Sequence, residues 1–268
     1  MRRSWGVSAI VERMKLSALF LAACISCAHA QDEIESSRPN LAEPSNVVGK
    51  GRVQLETGLL LERDRSGTGR ERTLSMPTML RLGVSELVEL RIGSDARTIR
   101  HAVEDSRRST ETGYADTALG LSWHALDAAG GLPSVAVLLG ADIDSGSRAF
   151  RGQGVRPNLR VAAEWDLPNE ISVGLMPGIG VERDESGRYR YGILAAIVQK
   201  PLGERLSGFA EVALPQIARG KHGGTEATFD IGAAYLLSKD VQLDAMVSRG
   251  LNSRTPDYAF TFGVSIRR

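Results

Sequence analysis

Asn158-Leu159-Arg160-Val161-Ala162-Ala163-Glu164-Trp165-Asp166-Leu167 is the stretch that decides the fold class. Successive side chains of an extended chain point to opposite faces, so Leu159, Val161, Ala163, Trp165 and Leu167 share one side. Asn158, Arg160, Ala162, Glu164 and Asp166 share the other. A helix would scatter both sets around its axis. The alternation recurs in Val53, Leu55, Thr57, Leu59 and Leu61 against Gln54, Glu56, Gly58 and Glu62, and in Thr117, Leu119, Leu121 and Trp123 against Asp116, Gly120, Ser122 and His124. It returns in Phe229, Ile231, Ala233 and Tyr235, and finally in Tyr258, Phe260, Phe262, Val264 and Ile266.

About twelve such runs follow one another, starting near Arg52, Leu74, Leu87, Tyr114, Leu132, Asn158, Ile171, Tyr189, Leu206, Glu226, Val241 and Tyr258. Each is roughly nine to eleven residues long, which, tilted, crosses the hydrocarbon of a bilayer. Short links at Ser85-Glu86, 168–170, 201–204 and 238–240 contrast with polar, Gly-rich links at 63–73, 94–113, 145–157 and 216–225. That asymmetry, with an even strand count, predicts an all-β fold: an up-and-down antiparallel transmembrane barrel with short periplasmic turns and longer extracellular loops.

The division of the chain follows. Basic residues up to Lys15, an apolar run from Leu16 and the small-x-small Ala28-His29-Ala30 read as a cleaved signal peptide over 1–30, whether translation starts at Met1 or Met14. Leu21-Ala22-Ala23-Cys24 also has the form of a lipobox, which would instead anchor the chain through lipidated Cys24. Residues 31–50, with Pro39 and Pro44 and no periodicity, read as an extended periplasmic lead-in. The barrel then occupies 51–268.

Composition supports this division. Of 268 residues 42% are apolar and 24% charged, too apolar for a disordered polymer, and 29 are Gly. Both cysteines, Cys24 and Cys27, fall in the leader, so a body cut after Ala30 has no thiol for disulfides, nucleophiles or metal binding. The formal charge of +1 includes four basic residues against Glu12 in that leader. The remainder is slightly acidic and carries no footprint for nucleic acid.

A soluble sheet alternates too. The polar faces here, however, combine Gly120, Gly140, Gly174, Gly178, Gly180, Gly192, Gly232 and Gly263 with charges, as a narrow interior requires. The expected lumen-lining residues are Glu56, Arg81, Arg91, Asp116, His124, Arg160, Glu164, Glu211, Asp230 and Asp244. Their mixed signs suit weak ion selectivity, or mutual neutralisation that braces the wall. Aromatics are only 5%. Trp123, Trp165, Tyr189, Tyr191, Tyr235 and Tyr258 are the candidates for interfacial girdles.

Several segments together resemble the bacterial outer-membrane family named for a MetA pathway of phenol degradation. They are Phe229 to Leu237, Val241-Gln242-Leu243-Asp244, Gly250-Leu251-Asn252, Pro256-Asp257-Tyr258 and Gly263 to Arg267, with Arg38-Pro39, Leu80 to Val84, Val88 to Arg91 and Gly208 to Glu211. The resemblance implies a transporter-like barrel for small, aromatic or otherwise hydrophobic compounds. Outer-membrane lipid, small solutes and the barrel assembly machinery are its expected partners. The chain departs from the usual barrel ending by closing on Ile266-Arg267-Arg268 instead of an aromatic residue.

No catalytic, cofactor or metal site is expected. His101, His124 and His222 have no ligand spacing, and Gly152-Gln153-Gly154 has no following helix to hold phosphate. His124 with Ser122 or Asp116 is the one combination with hydrolytic form, and a histidine in a wet lumen is the preferred reading of it. A narrow channel therefore leads. A structural or adhesive barrel acting through its loops, and an exported soluble or lipid-anchored β protein, are the alternatives.

Overall fold

The computed structural model describes residues 33–66, 69–105 and 107–268. The expected leader, with Met14, Cys24 and Cys27, lies outside the described residues.

Among the described residues thirteen strands form one antiparallel sheet: β1 (Val53–Ser66), β2 (Gly69–Gly83), β3 (Val88–Glu104), β4 (Arg107–Gly113), β5 (Thr117–Leu126), β6 (Ser134–Ile143) and β7 (Arg156–Leu167), then β8 (Ile171–Asp184), β9 (Gly187–Pro201), β10 (Leu206–Ile217), β11 (Thr228–Ser238), β12 (Val241–Gly250) and β13 (Tyr258–Arg267). Neighbours in sequence pair in order, and β1 pairs with β13 from Gln54↔Arg267 to Arg63↔Tyr258, so the sheet closes on itself. Strand β3 is long enough to pair with two partners. Its inner half meets β5 (Val88↔Trp123 to Gly93↔Ala118) and its outer half meets β4 (Thr98↔Gly113 to Glu104↔Arg107). β4 and β5 thus share one place in the wall, giving a closed barrel of twelve positions. Closure pairs both edges around the twelve positions, the condition for a sheet to sit in hydrocarbon, and among the described residues only the strand β4 has a partner strand on just one side.

Two of the expected long loops are strand instead. The ladder of β1 and β2 runs to Ser66↔Gly69, and that of β3 and β4 to Glu104↔Arg107. Both stretches are polar on both faces, so their sequence lacks alternation. The backbone ladder needs no apolar side chain to continue. The links over 144–155, 218–227 and 251–257 remain loops at the same end. At the opposite end β7 turns into β8 through Asn169 and Glu170, both at positive φ (65° and 58°), the backbone that suits a tight hairpin.

The faces are inverted relative to a soluble protein. Ile231 and Phe262 are 57% and 58% exposed, while Glu56 and Arg81 on the opposite face are 1% exposed. Leu59, Leu119, Trp123, Leu139, Leu159 and Ile179 join the outer belt. Trp123, Tyr235 and Tyr258 face outward as expected of girdle residues, whereas Tyr191 packs on the interior cluster and Tyr189 stacks on His222 at 4.1 Å. Gly192 also departs from expectation: it pairs with outward Ile179 and lies against Ile217, so it belongs to the outer surface.

Candidate functional site: a plugged lumen

Residues 34–50 fill the barrel instead of trailing from it. The Ile34 N–H donates to the Lys239 carbonyl (2.7 Å) in the short β11–β12 turn, and Gly51 donates to the Gly83 carbonyl (2.8 Å). Both ends of the segment therefore lie at the short-turn end, with the loop between them inside. Where it leaves, Gly83 lets the Gly49 carbonyl approach so closely that a Cβ would sit 1.7 Å from its oxygen. A backbone without regular structure must satisfy its polar groups locally. Here the wall supplies the acceptors as buried carboxylates.

Those carboxylates are the sequence-nominated residues. Glu56 accepts from the Ser37 N–H (3.2 Å to each oxygen), Glu211 from Leu41 and Ala42 (2.9 and 2.7 Å), and Glu164 from Ser45 (2.6 Å). Asp244 meets the plug's Arg38 guanidinium at 3.3 Å, with Arg38 also donating to Thr261 (2.9 Å). Arg38 fits because Gly58 and Gly263 leave a notch; a Cβ at either would come within 2.4 Å of a guanidinium nitrogen. In reverse, plug Glu43 accepts from Arg91 Nη1 (2.7 Å) and Arg160 Nη1 (3.0 Å). Burial alone would raise the Glu43 pKa, but the two guanidinium groups hold it down at about 2. Arg81 ties the layers together: Nε to Glu89 (2.8 Å), Nη1 to Glu56 (3.1 Å), and further bonds to the carbonyls of Glu35 and Asn46.

Three nominated residues have other surroundings. Asp116 sits at the long-loop mouth and accepts from the backbone of Ser145, Gly146 and Gly152 and from Arg156 Nη2 (2.7 Å), so it pins the 144–155 loop. His124 joins the Ser45 carbonyl (2.9 Å) to Asp127 (2.8 Å) and pairs with neither Ser122 nor Asp116, which removes the hydrolytic arrangement. Asp230 is bonded within the wall by Thr228 and Ser248.

The interior is not uniformly polar, as the alternation had implied. Ala136, Leu138, Ala162, Met176, Ile193, Ala195, Ile197 and Phe209 on β6 to β10 form a buried apolar cluster with Ala42 of the plug, and Leu41, Tyr191 and Met246 pack on it. β6 and β9 are largely apolar on both faces, so there period two could not tell inside from outside. The sequence reading also missed Arg38, Glu43 and Glu89 as interior groups. A signal was present: the nominated lumen holds more carboxylates than cations, and the surplus needs donors that the lead-in backbone can offer.

Space remains between plug and wall. A cavity of about 270 Å³ is bounded by Leu41, Arg91, Gly120, Leu138, Gly140, Asn158, Arg160, Tyr191 and Ile193. A second, of about 480 Å³, is bounded by Arg38, Leu41, Pro77, Met79, Asp116, Phe150 and Arg156. Leu41, Met79, Gly93, Ala118, Asp142 and Arg160 border both, so they adjoin. Among the described residues no group of His, Cys, Asp and Glu could hold a metal ion.

A closed sheet, greasy outside and charged inside, with its own N-terminal segment folded into the bore, defines a bacterial outer-membrane β-barrel with an occluded lumen. The family model described as "Putative MetA-pathway of phenol degradation" matches residues 36–267, and the chain belongs to that family. No curated protein matches the sequence. Among solved structures, an outer membrane channel from Pseudomonas putida F1 superposes with a TM-score of 0.65 at 11% identity, covering 88% of this chain and 100% of that one. The β domain of the Bordetella autotransporter BrkA gives 0.53 at 13% identity, covering 81% and 99%. The NanC porin gives 0.50 at 12%, covering 80% and 98%. At these identities the likeness is one of fold.

Proposed function

We propose that the barrel is a narrow channel that admits small, largely apolar solutes, aromatic ones included, across the outer membrane. The observation that carries this reading is the pair of adjoining cavities between plug and wall. The smaller is bordered by Leu138 and Ile193 of the β6–β10 cluster with Leu41 and Tyr191, and the larger sets Leu41, Pro77, Met79 and Phe150 among charged groups, so each joins apolar surface to fixed polar groups as a small-molecule site does. Family membership and the fold shared with the Pseudomonas putida channel support it. Eight of the ten residues nominated from sequence, all but Asp116 and Asp230, act in this reading mainly by holding the plug, and only secondarily by lining a passage. A barrel of twelve positions lies between eight-stranded barrels filled by side chains and wide porins, which suits a restricted bore. The reading assigns the barrel no chemical step and gives it insertion by the assembly machinery despite its Arg268 terminus.

The test is uptake of labelled naphthalene by intact Gram-negative cells whose lipopolysaccharide leaflet retards apolar solutes. Cells carrying the barrel should take it up several-fold faster than cells without it. Equal rates would sink the reading.

A further inference from the structure

The smaller cavity contains polar atoms that the protein itself does not use. Among the described residues, Arg91 Nη2, Arg160 Nε and Asn158 Oδ1 are buried without a hydrogen-bond partner, and all three residues border this cavity. Arg91 is 6% exposed. Its other nitrogens are taken, Nε by Glu89 (2.6 Å) and Nη1 by Glu43 (2.7 Å). Arg160 gives only Nη1 to Glu43 (3.0 Å), which leaves its Nε–Nη2 edge open. That edge is the fork that grips a carboxylate through two parallel bonds. Glu43 bridges the two arginines, one carboxylate oxygen to Nη1 of each, and both arginines border the same cavity.

The wall beside them carries small residues, over which the Arg91 and Asn158 side chains lie. Arg91 pairs across to Gly120, Gly120 to Gly140 and Gly140 to Asn158, one row over four strands. At about 4.8 Å per strand the row is ~14 Å long. Neither glycine can carry a side chain without crowding: a Cβ at Gly140 would lie 2.8 Å from Asn158 Oδ1, and one at Gly120 3.3 Å from the Leu139 carbonyl. Leu41, Tyr191 and Ile193 border the remaining sides. At about 270 Å³ the space falls just below the ~300 Å³ at which drug-sized sites begin, which suits a single ring.

Resting on the channel reading above, we propose that this cavity is a selectivity site for a compact ring-bearing carboxylate. The Arg160 fork and Arg91 Nη2 hold the carboxylate, the ring lies against Leu41, Tyr191 and Ile193, and a ring hydroxyl donates to Asn158 Oδ1. Glu43 keeps Nη1 of each arginine, and its negative charge opposes the solute's carboxylate.

The test is equilibrium dialysis of detergent-purified full-length barrel against labelled benzoate, neutral benzyl alcohol and benzylammonium. Benzoate should bind at least tenfold more tightly than benzyl alcohol, and benzylammonium more weakly than either. Arg160→Gln should remove the preference for benzoate over benzyl alcohol, Arg160→Lys should restore part of it, and Glu43→Gln should strengthen benzoate binding at least threefold. Equal binding of benzoate and benzyl alcohol by the unaltered barrel, or a preference that survives Arg160→Gln, would overturn the proposal. If Arg160→Gln lacks the heat-shifted gel band of a folded barrel, Glu43→Gln decides, and unchanged benzoate affinity counts against the site. The two readings fail separately: naphthalene uptake without carboxylate preference defeats this proposal alone, whereas carboxylate preference without uptake of either solute by cells defeats the channel.

Discussion

Replacing Gly263 by Ala tests the plug without touching a charge. The added methyl would lie 2.4 Å from Arg38 Nε and 2.6 Å from Nη2, while the nearest atoms it meets belong to that flexible side chain and not to the wall. Arg38 must therefore leave its notch, giving up the bond to Thr261 (2.9 Å) and the pair with Asp244 (3.3 Å). Hydrogen bonds to charged groups contribute ~1.5–3 kcal/mol each. The Asp244 contacts are long, and water solvates that carboxylate once the plug moves, so the net loss is nearer ~1.4–2.8 kcal/mol in total. That is an increase of about 10–100-fold in the undocked population. A reporter is available at Ser37, which is 8% exposed and whose Oγ makes no hydrogen bond among the described residues. Ser37→Cys is close to isosteric, and the natural cysteines Cys24 and Cys27 lie in the segment expected to be removed on export. Maleimide labelling of Ser37→Cys should accelerate by that factor when Gly263→Ala is added, with the heat-shifted band retained. A rate within twofold of Ser37→Cys alone would refute the view that Arg38 in its notch fastens the plug.

Other expectations follow from the same network. Arg81→Met strips the buried Glu56 of its cation, and breaking such a pair costs ~3–5 kcal/mol, so the urea midpoint of the barrel should fall well below that of the unaltered protein; an unchanged midpoint would contradict the pairing. Phe262→Arg places a charge on the most exposed part of β13 and should cost ~2–4 kcal/mol if that face meets lipid at mid-depth, measured by unfolding from liposomes; a neutral effect would argue for water there. Glu43 is held at about 2, below its ordinary 4.5, so its latch is fully present above the ordinary value and lost as pH falls toward 2. Planar-bilayer conductance should accordingly stay flat from about pH 7 to 5 and rise only below about pH 4; a rise already near pH 6 would place the latch on another group.

Much of the barrel was legible from residues alone. The alternation in 158–167 assigned Leu159 to the outside and Arg160 to the inside, and the structure has Leu159 exposed and Arg160 bonded to Glu43. Strand starts near Arg52, Ile171, Leu206, Val241 and Tyr258 fall within a residue of β1, β8, β10, β12 and β13. The hairpin extensions at 63–73 and 94–113 were not legible, because strands beyond the membrane lose the contrast between faces that makes period two visible. Gly192 and Tyr191 exchanged faces for a related reason: β9 is apolar on both sides, and the sequence alone does not fix its phase.

Taken by itself, the amino-acid sequence determined the order and approximate starts of the strands and, through the Gly and charge on their polar faces, favoured a transmembrane barrel over a soluble sheet. A strand's two faces are written locally, residue by residue, whereas which face meets lipid depends on closure of the whole sheet. The destination of residues 34–50 was decided by the tertiary structure. Nothing local in that segment distinguishes a tail in water from a plug, because what holds it are carboxylates and guanidinium groups distant in sequence, from Glu56 to Asp244, brought to one enclosed space by closure of the sheet. The spare N–H groups of Arg91 and Arg160 are of the same kind: they are left over only once the plug has taken its share.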